Sequence, residues 1–352
     1  MALQWMIYGA YGYTGELIAR LAVEKGEKPV LSGRSAAKLA PLAEELGLEH
    51  IAVGLDDPEA LAAALKDMDA VVHAAGPFSH TSRPMVKACL ATGTHYLDIT
   101  GEIAVFNGVF KAHDKAVDAG VVLLPGVGFD VIPTDGMAAM LHRALPDAVE
   151  LDLAFAGLGA VSQGTMRTSV EGMAHGGWIR EDGEFKGVSS GWKSREVTFH
   201  DHTRTVVTIP WGDLATAYRT TGIPNIRTWA AFPKSAIRAM RWSNPFKKLL
   251  GTAPLQRLMK SWIARQPPGP DLEMREKGRA EVWGRAVNAE GKAVEGTLTT
   301  PEGYRFTAQG AVASVLRVSE VAPGAHTPAT AFGVDYVATF EGVTVHGIEE
   351  VA

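Results

Sequence analysis

Glycines at positions 9, 12 and 15 follow a short apolar run, residues 5–8, and precede a helical pattern that begins near Glu16. This order predicts a strand that turns tightly into a helix. Free backbone N–H groups at such a turn, together with the helix dipole, can hold a pyrophosphate. Glycine has no Cβ, so the backbone can approach the anion closely. The feature therefore predicts a dinucleotide-binding βαβ unit.

A second predicted strand, residues 29–34, follows at the distance that one βαβ unit requires. Its end reads Ser32-Gly33-Arg34-Ser35, where proteins that bind NAD place an acidic residue on the ribose hydroxyl. A carboxylate there would repel a 2′-phosphate, whereas Arg34 can bind one through charge-assisted hydrogen bonds, assisted by Ser32, Ser35 and Lys38. We therefore predict NADP(H) rather than NAD(H). The alternative is that Arg34 is a solvated surface charge.

Composition narrows the class of protein. The 352 residues suffice for two domains, and the net charge of −5 is mildly acidic. The single cysteine, Cys89, excludes an internal disulfide, fits a reducing compartment, and lies in a helical pattern typical of core packing. The first strand begins within a few residues of Met1, which leaves no room for a signal peptide, and no apolar run has the length of a membrane span. We expect a cytoplasmic protein.

Strand and helix patterns alternate over residues 1–125, which predicts a doubly wound parallel sheet with ligands at the carboxyl ends of its strands. One predicted helix covers residues 104–119. From about residue 149 shorter period-two segments follow, among them residues 151–155, 280–288, 293–299 and 304–309. The sequence thus predicts an α/β chain, with a Rossmann domain over 1–148. An α+β domain with a mostly antiparallel sheet follows over 149–322.

The stretch between Asp213 and Asp271 contains no acidic residue, although the chain is acidic overall. Its basic residues are interleaved with Trp229, Phe232, Trp242, Phe246 and Trp262, and they are Arg219, Arg227, Lys234, Arg238, Arg241, Lys247, Lys248, Arg257, Lys260 and Arg265. Three interpretations of segment 219–265 stay open: a solvated basic face, an amphipathic segment peripheral to a membrane, or a dock for an acyl carrier protein. No nucleic-acid-binding module matches, so we expect no nucleic-acid partner.

Further strings mark predicted strand ends and a late segment: Ala74-Ala75-Gly76-Pro77-Phe78, then residues 83–89, 95–102, 125–135 and 323–329. Together with residues 9–15 they resemble the saccharopine dehydrogenase-like oxidoreductases. That family includes saccharopine reductases and trans-acting enoyl reductases, and the resemblance covers most of the chain. It implies an N-terminal NADP-binding Rossmann domain and a second domain that forms the substrate cleft. It also implies a C-terminal segment, residues 323–352, that returns to the first domain.

The resemblance also implies which residues contact the cofactor. It assigns the pyrophosphate to Gly9, Tyr11, Gly12, Tyr13, Thr14 and Gly15. It places the 2′-phosphate at Arg34, the adenine near Asp56, and the nicotinamide side at Ala75, Gly76 and Pro77. Tyr11 departs from the family pattern, where many relatives have a small or polar residue, but a backbone contact should tolerate it.

Reduction by a nicotinamide cofactor also needs a proton source. The Tyr-x-x-x-Lys pattern of the short-chain dehydrogenases is absent after every tyrosine, so the proton comes from elsewhere or from water. Tyr96 and Asp98 share one face of a predicted strand at the end where ligands bind, and Asp130 is placed in the cleft. We take these three as catalytic candidates. Alternatively, Asp98, Thr100 and Glu102 hydrogen-bond loop backbone or cap the next helix.

His200 and His202 could lie on one strand face, but no third metal ligand is evident, so we predict no metal site. The leading hypothesis for function is an NADPH-dependent reductase of a C=C bond in a lipid-like or carrier-bound enoyl substrate, because a free amino acid would not require the basic aromatic segment. The second is a saccharopine-type C=N reductase, with Arg167 or Arg195 for substrate carboxylates. The third is a non-catalytic NADP-binding, lipid-associated scaffold. A homodimer is a further hypothesis.

Overall fold

The computed structural model describes residues 3–157, 159–172 and 176–351, apart from the side chain of Lys248. In its first part strands and helices alternate. They are β1 (Trp5–Tyr8), α1 (Tyr13–Glu24), β2 (Val30–Gly33), α2 (Ala36–Leu46), β3 (His50–Ala52), α3 (Pro58–Leu65), β4 (Ala70–His73), α4 (Phe78–Thr92), β5 (His95–Asp98), α5 (Ile103–Phe110), α6 (His113–Asp118) and β6 (Val122–Leu124).

Longer strands and several helices make up the second part. They are α7 (Ile132–Ala144), β7 (Ala148–Ala156), α8 (Gln163–Gly172), β8 (Gly177–Glu181), β9 (Glu184–Val188), β10 (Ser194–Thr198), β11 (Thr203–Thr208), α9 (Asp213–Thr221), β12 (Asn225–Ala231), α10 (Lys234–Ser243), α11 (Lys247–Leu250), α12 (Ala253–Ile263), α13 (Leu272–Lys277), β13 (Arg279–Asn288), β14 (Ala293–Pro301), α14 (Gly303–Leu316), β15 (Gly324–Ala325), α15 (Pro328–Phe332) and β16 (Thr344–Val351).

The first sheet is parallel, with the strand order β15-β6-β5-β4-β1-β2-β3. Strands β1, β2 and β4 are buried along their whole length, as is typical of a parallel sheet covered on both faces. The predicted doubly wound sheet is confirmed. Because the strands are parallel, the loops that follow them meet at one edge, and every predicted cofactor contact lies on or near these loops.

The second sheet has the order β10-β11-β12-β7-β13-β14-β16 and is mostly antiparallel, with β12 and β7 as a parallel pair. One face carries an apolar cluster that includes Trp229 and Trp283. On the other face Gly284 lies so close to α7 that a Cβ there would come within 2.6 Å of side-chain atoms of Met137 and Leu141. The predicted α+β half is confirmed.

The C-terminal segment is shared between the two sheets. Gly324–Ala325 pairs in parallel with β6, whereas Thr344–Val351 pairs antiparallel with β14. The chain forms two compact units: Met1–Ile132 with Tyr304–Gly333, and Pro133–Gly303 with Val334–Ala352. Residues 323–352 therefore do not all join the first sheet. The boundaries of independently folding domains stay a prediction.

Two predicted elements are wrong. Residues 304–309, taken as a period-two strand, lie inside helix α14, where buried positions continue to Val312 and Val315. A six-residue apolar window does not distinguish a strand from a buried helix. The helix predicted over residues 104–119 is two helices, because the backbone leaves helical geometry at Ala112.

Candidate cofactor-binding and active site

The glycine turn joins β1 to α1 and is fixed by backbone hydrogen bonds. The Gly9 N–H donates to the Ser32 carbonyl oxygen at 2.8 Å, and the Gly12 N–H donates to the Gly9 oxygen at 2.9 Å. Helix α1 begins directly after Gly12, and no side chain among the described residues caps it. The first amides of a helix have no acceptor within the helix and carry partial positive charge. The turn therefore has the geometry of an anion site.

Close backbone approach explains the glycines at both ends of the turn. A Cβ on Gly15 would lie 2.3 Å from the Gly9 carbonyl oxygen, and one on Gly9 would lie 2.9 Å from the Cβ of Ala75. Gly9 also has a φ of +91°, in the left-handed region that favours glycine. A side chain at either position would displace the turn. The other predicted pyrophosphate contacts, Tyr11, Tyr13 and Thr14, lie in this turn and at the start of α1.

Ser32 and Arg34 at the end of β2 differ in what they offer a ligand. Ser32 is fully buried, and its hydroxyl donates to the Ile51 carbonyl oxygen at 2.9 Å, which joins β2 to β3. The predicted contact of the Ser32 hydroxyl with the cofactor does not fit this burial. Arg34 is exposed and has no ion-pair partner in the described part of the chain. Lys38 is exposed too, with Nζ 5.5 Å from the centre of the Tyr11 ring. This edge presents two cations to an anionic group.

Tyr8 lies near both residues that are predicted to contact the 2′-phosphate and the adenine. Its hydroxyl donates to the Val53 carbonyl oxygen at 3.1 Å. Burial raises the pKa of Tyr8 to about 12, while Tyr11 raises it, Arg34 lowers it and Asp56 raises it to smaller extents. These effects require Arg34 and Asp56 to lie near the same hydroxyl. Both are exposed at the carboxyl edge of the first sheet.

Residues 75–77, predicted for the nicotinamide side, lie between β4 and α4. The Gly76–Pro77 peptide is cis, and the Thr81 hydroxyl donates to the Ala75 carbonyl oxygen at 2.7 Å. The Glu102 carboxylate accepts the N–H groups of Phe78 and Ser79 at 2.9 and 2.8 Å. Glu102 therefore caps α4, the helix before it in the chain, and its negative charge stabilises that N-terminus. The nicotinamide contact itself stays a prediction.

Tyr96 and Asp98 share one face of β5, but that face lies inside the core. Neither side chain has exposed surface, and the Tyr96 hydroxyl donates to Asp98 Oδ2 at 2.6 Å. Asp98 Oδ1 accepts the N–H groups of Thr100 and Gly126 at 3.0 and 2.9 Å. Burial raises the pKa of Asp98 to about 6 and also raises that of Tyr96. The pair ties the ends of β5 and β6 together, and direct contact of either residue with a substrate does not fit its complete burial.

Asp130 lies on the loop between β6 and α7, at the same edge of the sheet. Its side chain is partly buried, and a Cβ on Gly101 would lie 2.7 Å from Asp130 Oδ2. Burial raises the pKa of Asp130 to about 7. A carboxyl group with a pKa near the working pH can both hold and release a proton. Asp130 is the catalytic candidate whose placement best suits proton transfer.

Asp201, His202 and Glu281 bring three potential metal-ligand atoms within 4.8 Å of one another. His202 Nε2 lies 3.0 Å from Glu281 Oε2, and Arg204 Nε lies 3.6 Å from the same oxygen. A guanidinium in this position repels a metal cation, so the cluster is better described as an ion-pair network. The ring of His200 stacks on another histidine, with ring centres 3.6 Å apart.

Residues 5–124 match the family model of the saccharopine dehydrogenase NADP-binding domain. The matched stretch runs from β1 to β6. It contains the glycine turn, the Arg34 edge and the Tyr96–Asp98 pair. The predicted cofactor, NADP(H), is confirmed at the level of this domain.

Two curated relatives are similar to about two fifths of the chain. A putative trans-acting enoyl reductase of Mycobacterium tuberculosis is 32% identical over 151 residues, which are 40% of this chain and 36% of the relative. A trans-acting enoyl reductase of Mycobacterium leprae is 33% identical over 146 residues, 39% of this chain and 35% of the relative. The similarity thus spans little more than a third of each relative.

A solved structure extends the likeness of fold to the whole chain. The apo saccharopine dehydrogenase (L-Glu forming) from Saccharomyces cerevisiae superposes over 100% of both chains with a TM-score of 0.65, at 15% sequence identity. Identity this low shows the fold alone. Residues 5–124 thus resemble a saccharopine dehydrogenase NADP-binding domain in sequence, and the whole chain resembles saccharopine dehydrogenase in fold.

Proposed function

We propose that the protein is an NADPH-dependent reductase of a C=C bond in a lipid-like or carrier-bound enoyl substrate. The match to an NADP-binding domain supports the cofactor, and relatives that are similar to about two fifths of the chain are named trans-acting enoyl reductases. The observation that carries the chemistry is Asp130, a carboxyl group with a pKa of about 7 at the ligand-binding edge of the parallel sheet. Such a group can supply the proton that the reduction needs.

Different residues carry out cofactor binding and proton transfer. NADPH, when bound, supplies a hydride to the β-carbon of the enoyl group. The amides of the glycine turn bind the pyrophosphate, and Arg34 binds the 2′-phosphate with charge-assisted hydrogen bonds. Asp130, as the neutral acid, donates a proton to the α-carbon and regains one from water. The Tyr96–Asp98 pair acts indirectly, by holding the strand ends in place.

A saccharopine-type reductase of a C=N bond is the second candidate, and two arginines of the second unit favour it. Arg195 lines an open pocket, and Arg167 of α8 makes one long hydrogen bond, 3.4 Å, to Gln163. Either guanidinium could bind a substrate carboxylate. A non-catalytic NADP-binding scaffold is the third hypothesis.

NADPH oxidation with two sets of substrates tests these proposals. We expect turnover with enoyl thioesters and no turnover with lysine plus 2-oxoglutarate, each followed as the loss of NADPH absorbance against a blank without substrate. Turnover with the amino-acid pair alone would replace the enoyl proposal by the C=N proposal. No turnover with either set of substrates, while NADPH still binds, would support the non-catalytic scaffold.

The segment from α10 to α12 exposes large apolar side chains beside basic ones. More than half of the surface is exposed at Trp242, Phe246, Leu249, Leu258 and Trp262. Exposed cations in the same segment are Lys234, Arg238, Lys247 and Arg257. None of the described helices has both the length and the apolar character needed to cross a bilayer. We propose that this segment lies on an anionic membrane surface, because tryptophan and leucine enter the acyl boundary while cations bind the head groups.

We expect the chain to float with phosphatidylglycerol vesicles and to bind phosphatidylcholine vesicles more weakly. Trp242→Ser combined with Trp262→Ser should lower the partition coefficient by about tenfold or more, because each large side chain removed from water contributes about 1–3 kcal/mol. Trp178→Ser changes a partly exposed tryptophan of β8 and is the matched control. If the double variant floats like the parent chain, the membrane proposal is wrong. If these tryptophans are instead buried by a bound acyl carrier protein or by self-association of the chain, the carrier or homodimer hypothesis replaces the membrane proposal.

A further inference from the structure

An open pocket of about 400 Å³ lies at one end of the second sheet, where β10 and β12 meet α10. Cations and aromatic rings dominate its lining: Trp192, Lys193, Arg195, Arg227, Trp229 and Arg241. The pocket belongs wholly to the second compact unit. Its volume suits a small organic ligand.

Two of the four cations are paired with carboxylates at the floor of the pocket. Arg227 lies 3.1 Å from Glu150, and Arg195 lies 3.4 Å from Asp152. The indole N–H of Trp229 donates to Asp152 at 2.9 Å, so this carboxylate is held from two sides. These contacts fix the floor, and they neutralise only part of the positive charge.

Arg195 keeps one donor unused. Its guanidinium carbon lies 5.1 Å from the centre of the Trp229 ring and 4.6 Å from that of Trp283, which holds the group in a fixed orientation. Its Nε is buried and has no hydrogen-bond partner among the described residues. A buried donor of this kind ordinarily has an acceptor. Because Nε is closed to solvent, a ligand would contact the third of the Arg195 side chain that is exposed.

The other two cations have no carboxylate partner in the described part of the chain. Arg241 donates from Nε to the Gly191 carbonyl oxygen and from a terminal nitrogen to Ser194 Oγ, both at 2.8 Å. These neutral acceptors orient the guanidinium without cancelling its charge. Lys193 Nζ lies 4.3 Å from the centre of the Trp192 ring. The pocket thus has an excess of oriented positive charge beside an aromatic face.

We propose that this pocket binds the carboxylate or phosphate group of a small organic ligand whose apolar part packs on Trp192. Arginine forks bind such oxyanions with charge-assisted hydrogen bonds, and a partly desolvated pocket strengthens them. The two chemical sources are the phosphate of a phosphopantetheine arm and the carboxylate of an amino or keto acid. The carboxylate source deepens the C=N candidate, which also uses Arg195, whereas the phosphate source does not. Binding is measured without cofactor or turnover, so a failure of this inference is distinguishable from a failure of the reductase proposal.

Titration calorimetry on the full chain with inorganic phosphate, 4′-phosphopantetheine and glutarate tests the site. We expect saturable binding of at least one organic probe, at least about tenfold weaker in Lys193→Gln with Arg241→Gln, since each lost charged contact is worth about a factor of ten. The matched control is Arg238→Gln, on the same helix, whose side chain bonds, among the residues that the structure describes, one carbonyl of its own helix. It should leave the affinity within about twofold.

Three further readings decide the proposal. Trp192→Ala should weaken the organic probes and leave inorganic phosphate unchanged, because the ring contacts only the apolar part. A preference for 4′-phosphopantetheine identifies the phosphate source, and a preference for glutarate identifies the carboxylate source. The proposal is overturned if no probe binds up to about 10 mM, or if Arg238→Gln loses as much affinity as the double variant. The single variant Lys193→Gln is the control for misfolding of the double variant. Because Lys193 is exposed, its substitution should leave the fold intact.

Discussion

Asp130→Asn should lower kcat by about 100-fold or more, because an amide of the same shape cannot donate the carboxyl proton. Asp130 follows β6, which β5 and β4 separate from β1 and the glycine turn. The Kd of NADPH should therefore change little. Steady-state NADPH oxidation gives kcat, and titration of NADPH fluorescence gives the Kd.

The pH dependence of kcat provides a second test of Asp130. Burial raises the pKa of Asp130 to about 7, and a proton donor must be protonated to act. We therefore expect kcat to be highest below pH 7 and to fall about tenfold for each further pH unit above it. This limb should vanish in Asp130→Asn. A parent profile without such a fall, or a variant with normal turnover, excludes Asp130 as the donor.

Tyr96→Phe separates proton transfer from folding. The variant loses the 2.6 Å hydrogen bond to buried Asp98. Its free energy of unfolding should fall by about 1–3 kcal/mol, with a much smaller loss of kcat than in Asp130→Asn. Thermal or denaturant unfolding measures the first quantity. A Tyr96→Phe variant of normal stability whose kcat is as low as that of Asp130→Asn would make Tyr96 the donor.

Arg34→Gln should raise the Kd of NADPH by about tenfold to a hundredfold, because hydrogen bonds to a charged group are worth about 1.5–3 kcal/mol. NADH lacks the 2′-phosphate, so its Kd should stay nearly constant. The expected result is the loss of the preference for NADPH rather than the loss of dinucleotide binding. Paired titrations with the two cofactors measure this directly.

Lys25→Gln is the charge-matched control for Arg34→Gln. Lys25 is exposed at the C-terminal end of α1, about 18 Å along the helix from the glycine turn. It removes one positive charge from the same unit and should leave both Kd values unchanged. If Arg34→Gln weakens the binding of NADPH and NADH equally, Arg34 supports the turn and does not bind the 2′-phosphate.

Local patterns predicted the first sheet well because its elements are short and separated by clear signals. The predicted alternation over residues 1–125 is confirmed, with helices such as Ala36–Leu46 and Pro58–Leu65, the latter capped by Asp57, between the strands. The prediction of a strand at residues 304–309 was wrong because the local pattern there is ambiguous. Buried apolar residues continue through α14 on most sides, so no short window reveals the helical period.

The candidate site was predictable where the backbone itself is the functional group. The spacing of Gly9, Gly12 and Gly15 identifies the turn, and the residue after β2, Arg34, is the phosphate partner that we propose. Burial was not predictable: period two places Tyr96 and Asp98 on one face, but a parallel sheet covers both faces. The pocket of Lys193 and Arg241 was missed because it joins residues nearly fifty positions apart. The string Trp192-Lys193-Ser194-Arg195 was its one local signal.

The chain passes between its two compact units at three points, after Ile132, Gly303 and Gly333. Neither unit is a continuous stretch of sequence. A fragment that ends near residue 148 lacks Gly324–Ala325 and leaves β6 as an open sheet edge, which tends to pair with other chains. The nucleotide-binding half therefore cannot be exchanged between proteins as a single cassette. A recombination event that moved residues 1–148 alone would separate β6 from the strand that completes its edge.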